Sequence, residues 1–174
     1  AFYGVWDSGT DELDQSDLVE QTFTTAGGGN IVVTNNPVNY GANDYGWFLT
    51  LPEVGERQLT TPILRDNIVY FTSMTPESDP CSFGTTGYLT ALSMVNGGPP
   101  PKTALDYNND GVIDSSDLIG DENPSRKESG GGIADPKTLG DNIYNPDPSG
   151  ETSRETIPPI EGDRTGRLSW QELL

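Results

Sequence analysis

Residues 106 to 117 read DYNNDGVIDSSD, with four aspartates and two asparagines around a single glycine. Carboxylates packed this closely repel one another, so the run calls for a reason. Counted from Asp106, oxygen-bearing side chains fall at the first, third, fifth, ninth and twelfth places: Asp106, Asn108, Asp110, Asp114 and Asp117. Gly111 takes the sixth, where an EF-hand-type turn needs a positive φ that glycine adopts at little steric cost. Val112 holds the seventh, which contributes only its backbone carbonyl. Apolar Ile113 follows, as expected of a loop pinned to a core by a short β-like contact. Such spacing suits a hard divalent cation. Calcium (Ca2+) fits best, because it accepts about six to eight oxygens at flexible geometry while magnesium demands a tighter octahedron. The loop has no His or Cys to attract a softer metal. Asp117 stands where a longer Glu is usual, which shortens the bidentate arm. The competing reading is a solvated loop of Asx turns.

The flanks limit what kind of calcium loop this can be. GGPPPKTAL (97 to 105) carries three prolines and excludes an entering helix. SSDLIG (115 to 120) allows one helical turn with Ser115 as N-cap. The expectation is a lone loop, not a paired EF-hand sensor, in which ion binding becomes local folding free energy. A second acidic stretch, DSGTDELDQSD (7 to 17), lacks the alternating spacing and central glycine and reads as a solvated turn.

The rest of the chain narrows the function by exclusion. Among 174 residues, 27 acidic side chains face 9 basic ones, a formal charge of -18. A phosphate backbone or an anionic membrane would be repelled, so nucleic-acid binding and adsorption to anionic membranes are not expected. There is no histidine, which removes Ser-His-Asp and Cys-His nucleophiles and ordinary His-ligated zinc. No enzyme is expected. The single cysteine, Cys81, has no internal disulfide partner. The longest apolar run, GWFLTL (46 to 51), is too short to span a bilayer. The opening AFYGVWDSG shows no signal-peptide character and reads as entering mid-strand.

The elements that must position the loop read as strands. AFYGVWD (1 to 7), NIVVTNN (30 to 36), GWFLTL (46 to 51), LTTPILRDNIVYFTSM (59 to 74, two strands around RDN) and GYLTALSM (87 to 94) are short β-type runs. Turn signals between them recur about every ten residues, the texture of all-β meanders. Only DELDQSDLVEQTF (11 to 23) has helical spacing, and weakly. Residues 62 to 97 finish in the manner of a four-stranded propeller blade, with a β-sandwich meander as the alternative. The expected division is blades over 1–101, the calcium loop over 102–120, an irregular Gly/Pro/Asp-rich insertion over 121–165, and a docking segment over 166–174. Ile133, Leu139, Ile143, Tyr144, Ile157 and Ile160 are candidate anchors of the insertion, Leu168 and Trp170 of the last segment. Trp6, Trp47 and Trp170 read as packed core in preference to sugar platforms.

Several segments together resemble one family. VWDSG with SDLVEQT (5 to 9 and 16 to 22), GWFLTLPEVGER (46 to 57), the long block TPILRDNIVYFTSMTPESDPCSFGTTGYLTALSMVNGG (61 to 98), DYNNDGVIDSSDLI (106 to 119) and GRLSWQEL (166 to 173) carry the likeness. They resemble the C-terminal β-propeller of the PilY1-type pilus-associated proteins, also called PilC-type tip adhesins. The resemblance implies part of a quinoprotein-like propeller, its last two or three blades, with an inserted EF-hand-like calcium loop. It further implies an extracellular, cell-surface protein at the tip of type IV pili, acting in pilus assembly, adhesion or surface sensing. The implied partners are minor pilins, the remainder of the propeller and a host or abiotic surface. Calcium-ligand roles carry over onto Asp106, Asn108, Asp110, Val112, Asp114 and Asp117. An Arg-Gly-Asp motif does not; the chain has only GDR at 162 to 164. A quinoprotein enzyme would need cofactor-holding cations, and a dockerin-like module would need a duplicated loop. Neither feature is present.

Overall fold

The structure, a computed structural model of the chain, describes residues 1–9, 12–26, 29–76, 85–130, 134–146 and 150–160. In chain order the strands are β1 (Phe2–Val5), β2 (Val19–Gln21), β3 (Phe23–Ala26), β4 (Gly29–Val33), β5 (Gly46–Leu49) and β6 (Ile63–Arg65). They continue with β7 (Ile68–Pro76), β8 (Thr85–Ser93), β9 (Arg126–Glu128), β10 (Lys137–Leu139), β11 (Asn142–Pro146) and β12 (Thr152–Thr156). The other regular pieces among the described residues are 3-10 turns at Gln15–Asp17 and Ser115–Asp117. The all-β expectation holds.

Strands β6 to β9 form one antiparallel sheet in sequence order, with β7 and β8 as its long centre. The β6–β7 hairpin turns on Asp66 and Asn67, with φ of 53° and 62°. Two consecutive left-handed residues match the right-handed twist of the strands they join, and Asp and Asn tolerate that conformation. Alternation along β7 sends Ile68 and Tyr70 to one face and Val69 and Phe71 to the other. The first face packs with Leu89, Ala91, Ala104, Leu105, Ile143 and Ile157. The second packs with Val33, Trp47, Leu49 and Leu92. Each fully buried aliphatic or aromatic side chain contributes roughly 1.5–3 kcal/mol. Burial on both faces therefore outweighs the sheet's hydrogen bonds, each worth about 1 kcal/mol net. Both faces are covered, unlike those of a half-solvated antiparallel sheet.

The neighbouring layers are a β1-β5-β2 sheet, in which β2 runs parallel to β5, the β3–β4 hairpin, and a β10-β11-β12 meander. Ser125 joins the layers, donating its N–H to Ile31 O and accepting from Ala91 N, both at 2.8 Å.

Two expectations are corrected. Of the stretch given helical spacing, residues 15–17 form a single 3-10 turn and residues 19–21 are strand β2. Pairing of Val19 with Trp47 outweighs a weak helical pattern. The stretch 121–165, read as irregular, supplies four strands. Its order comes from edges provided by β8 and by its own meander, an outlet that apolar content alone does not reveal. A consequence is that the sheet begun before residue 101 takes its fourth strand from beyond the loop. Of the candidate anchors, Ile143 and Ile157 are buried, Tyr144 is half-buried, and Leu139 and Ile160 are exposed. Trp47 is core as expected, but Trp6 is 47% exposed, edge-on to Tyr40. Cys81, Ile133, Leu168 and Trp170 lie outside the described residues.

Candidate metal centre

The loop at 106 is held at both stems. Ala104 and Leu105, immediately before it, are fully buried beside Ile68, Tyr70 and Leu89. Lys102 Nζ pairs with Asp66 at 2.5 Å, anchoring the approach to the β6–β7 turn. Asn123 closes the far side, donating Nδ2 to Pro100 O at 3.0 Å while its Oδ1 accepts from Thr103 Oγ1 at 3.1 Å. Entry and exit are thus stitched together.

Within the loop, carboxylates meet backbone amides. Asp106, 5% exposed, accepts from Asp110 N at 3.1 Å and Gly111 N at 2.9 Å. Asn108 Oδ1 accepts from Asp110 N at 2.9 Å, and Asp110 Oδ1 from Val112 N at 2.8 Å. Asp114 Oδ1 accepts from Ser116 N at 2.7 Å. Hydrogen bonds from the Ser116 side chain and backbone hold the Asp114 carboxyl below the ordinary value. Asp117, wholly buried, accepts Tyr107 N at 2.7 Å and Asn108 N at 3.2 Å on Oδ1, and Asp114 N at 3.0 Å on Oδ2. The last residue of the loop is thereby bound to its start. The required reversal comes from Asn109 and Gly111, with φ of 62° and 86°. A Cβ on Gly111 would touch nothing within 4 Å, so backbone angle, not space, demands glycine there.

Two local expectations are corrected. Asp114, not Ser115, is the N-cap of the turn at 115–117. Ile113 enters no strand; it is half-buried and lines a cavity of about 270 Å³ with Lys102, Thr103, Pro158 and Pro159. In the described parts of the acidic stretch from Asp7, Asp7 Oδ1 accepts from Gly9 N and Asp17 Oδ2 from Asp14 N.

The donor chemistry fits a hard cation. All six expected ligands offer oxygen, and Val112, 54% exposed, leaves its side chain outside. Asp106 and Asp117 are buried, yet neither carboxylate forms an ion pair with a described Lys or Arg. Buried carboxylates without a counter-charge are costly, and amide hydrogen bonds offset only part of that cost. In this conformation, among the described residues, no three Asp or Glu side chains converge as a finished ligand set. The loop is closed on its own amides.

Two cations escaped the sequence reading. Lys127, 7% exposed on β9, donates Nζ to Asp106 O at 2.6 Å and Asn109 Oδ1 at 2.7 Å, and pairs with Glu155 at 2.6 Å. Arg126 beside it stacks 3.5 Å over the Tyr88 ring and pairs with Glu56 at 2.9 Å. The available signal was SRKES (125 to 129), adjacent cations in a chain with few of them.

No family model matches the chain. The type IV pilus biogenesis factor PilY1 of Pseudomonas aeruginosa strain UCBPP-PA14 is 27% identical over 165 residues, covering 76% of this chain and 14% of the relative. A PilY1 homolog from Xylella fastidiosa is 28% identical over 108 residues, covering 55% of this chain and 7% of the relative. The crystal structure of the Pseudomonas aeruginosa PilY1 C-terminal domain superposes with a TM-score of 0.65 at 20% identity, over 91% of this chain and 37% of that one. The chain resembles the C-terminal region of PilY1. Its fold is that of the PilY1 C-terminal domain, of which it spans little more than a third.

Proposed function

We propose that this chain is a calcium-binding propeller portion of a type IV pilus biogenesis protein, without enzymatic activity, acting at the cell surface in pilus assembly, adhesion or surface sensing. The β6–β9 meander, covered on both faces, supports a blade. Likeness to PilY1 supports the pilus assignment. The observation carrying the calcium reading is the pair of buried end carboxylates, Asp106 and Asp117, on one oxygen-rich loop, neither of them ion-paired with a described Lys or Arg. Ca2+ would be held by Asp106, Asn108, Asp110, Asp114 and Asp117 with the Val112 carbonyl, and would supply the missing positive charge. Side-chain rotation at exposed Asn108, Asp110 and Asp114 converts amide acceptors into ligands. Minor pilins and further propeller chain are the proposed partners, with the pilus tip as the site of action.

Calorimetric calcium titration tests the metal. Asp110→Ala and Asp114→Ala should each abolish measurable binding; unchanged affinity overturns the assignment. The pilus role is tested in bacteria lacking their own PilY1, by expressing the gene that encodes this chain. Restored surface pili are expected, and absence of pili despite normal expression overturns it.

A further inference from the structure

We infer that Lys127 is the positioning residue of the calcium loop, a strut that shapes the loop for the ion from outside the ligand set. The inference rests on the calcium reading above. An ammonium has three donors, and Lys127 directs its own at three acceptors, two on the loop and one on the β10–β12 meander. One is the Asp106 carbonyl, one is Asn109 Oδ1, and one is the Glu155 carboxylate of β12. Lys127 itself belongs to β9, paired opposite Leu89 of β8. A single cation therefore ties the loop to both the β6–β9 sheet and the β10–β12 meander.

The choice of acceptors separates a strut from a stand-in for the metal. Asp106 is expected to ligate through its carboxylate, and Asn109 lies between two ligand positions without being one. Lys127 thus leaves the ligand oxygens alone. It grips instead the first residue of the loop and the residue that takes the left-handed turn, φ 62°, before Asp110. Left-handed conformations cost a non-glycine residue about 1 kcal/mol or more, so a side-chain anchor at Asn109 fixes a geometry the loop would otherwise leave. Glu155 offsets the ammonium's charge, which lessens repulsion of an incoming dication.

The opposed expectations give a decisive sign. Electrostatics alone says that removing the ammonium tightens calcium binding, and that removing it together with its Glu155 counter-charge leaves binding nearly equal. A strut says that removal loosens it, as outer-shell partners of metal ligands do, by about 10-fold to 100-fold. Lys127→Met would strand Glu155, so the informative protein is Lys127→Met/Glu155→Gln, which removes both charges; Asn109→Gly removes one contact and keeps the turn. We would measure calcium affinity by calorimetry, terbium luminescence sensitised by Tyr107, and amide exchange at residues 109 to 111 without metal. The double variant should bind at least about tenfold more weakly and exchange faster, with Asn109→Gly between it and wild type. Equal or tighter binding by the double variant, with unchanged exchange, overturns the role of Lys127 while leaving the calcium reading intact. Absence of calcium binding by the wild type overturns both.

Discussion

The indole of Trp47 lies so close to Gly97 that a Cβ on that glycine would sit 2.2 Å from the ring. Gly4 closes the other approach, where a Cβ would come within 2.4 Å, and Nε1 donates to Met94 O at 3.2 Å. Gly97 also has φ of 68°. The family-like motif VNGG is thus a seat for a tryptophan as well as a turn. Gly97→Ala should destabilise the chain by about 2–4 kcal/mol, combining left-handed strain with overpacking. Gly55→Ala, with φ of 79° and nothing within 4 Å, should cost only about 1 kcal/mol. Urea denaturation of the two variants checks the contrast; equal losses would refute it.

Asp117 and Asp110 should separate in the absence of metal. Asp117→Ala leaves three loop amides without their acceptor and should cost about 2–3 kcal/mol in calcium-free buffer. Asp110→Ala removes two exposed contacts, from Val112 N and Asn108 Nδ2, and should change metal-free stability by less than about 0.5 kcal/mol. Thermal unfolding in chelator reads this directly.

Much of this arrangement was legible in sequence. Strands β1, β4, β5 and β7 to β8 announce themselves by aromatic and β-branched alternation, and the Asp66–Asn67 turn by its residue types. The Asp and Asn residues around Gly111 marked 106 to 117 as turn rather than strand, which the left-handed Asn109 and Gly111 bear out. What escaped was polar structure with distant partners. Strands β9 to β12 bury Lys127, Asn145 and Glu155, which no apolar pattern flags, because their acceptors and counter-charges come from elsewhere in the chain. Strand β2 was hidden likewise, since its parallel partner β5 lies far along the sequence.

Arg126 offers a sharper test of buried charge. Its guanidinium is covered by Tyr88, and the Glu56 side chain that it pairs with has no exposed surface. Arg126→Met should cost about 3–5 kcal/mol by stranding that carboxylate. Arg126→Met/Glu56→Gln should recover part of the loss, which denaturation midpoints would show. No recovery would mean that stacking on Tyr88, not charge, is what the arginine supplies.

Asp135 sets a pH dependence. Backbone and side-chain hydrogen bonds from Thr61 hold its carboxyl below the ordinary value, with Lys137 adding a smaller pull. A depressed folded value means the stabilisation is complete above the ordinary carboxylate range near about 4 and drains away as pH falls through the lowered one. Asp135→Asn should remove that increment of acid sensitivity. A carboxyl NMR titration of wild type should find the midpoint lowered; an ordinary midpoint would contradict the contact with Thr61.

The chain leaves the central sheet at Ser93 and rejoins it at Arg126 on the very next strand. The stretch 94–125 between them is a detour that begins and ends at one place, so a change of length that spares the Trp47 seat at Gly97 and the loop at 106–117 leaves the order of the strands unaltered. Natural insertions, deletions or an engineered epitope grafted there would be accommodated as added cargo, provided that Leu105 and Ser125 keep their places at the two doors.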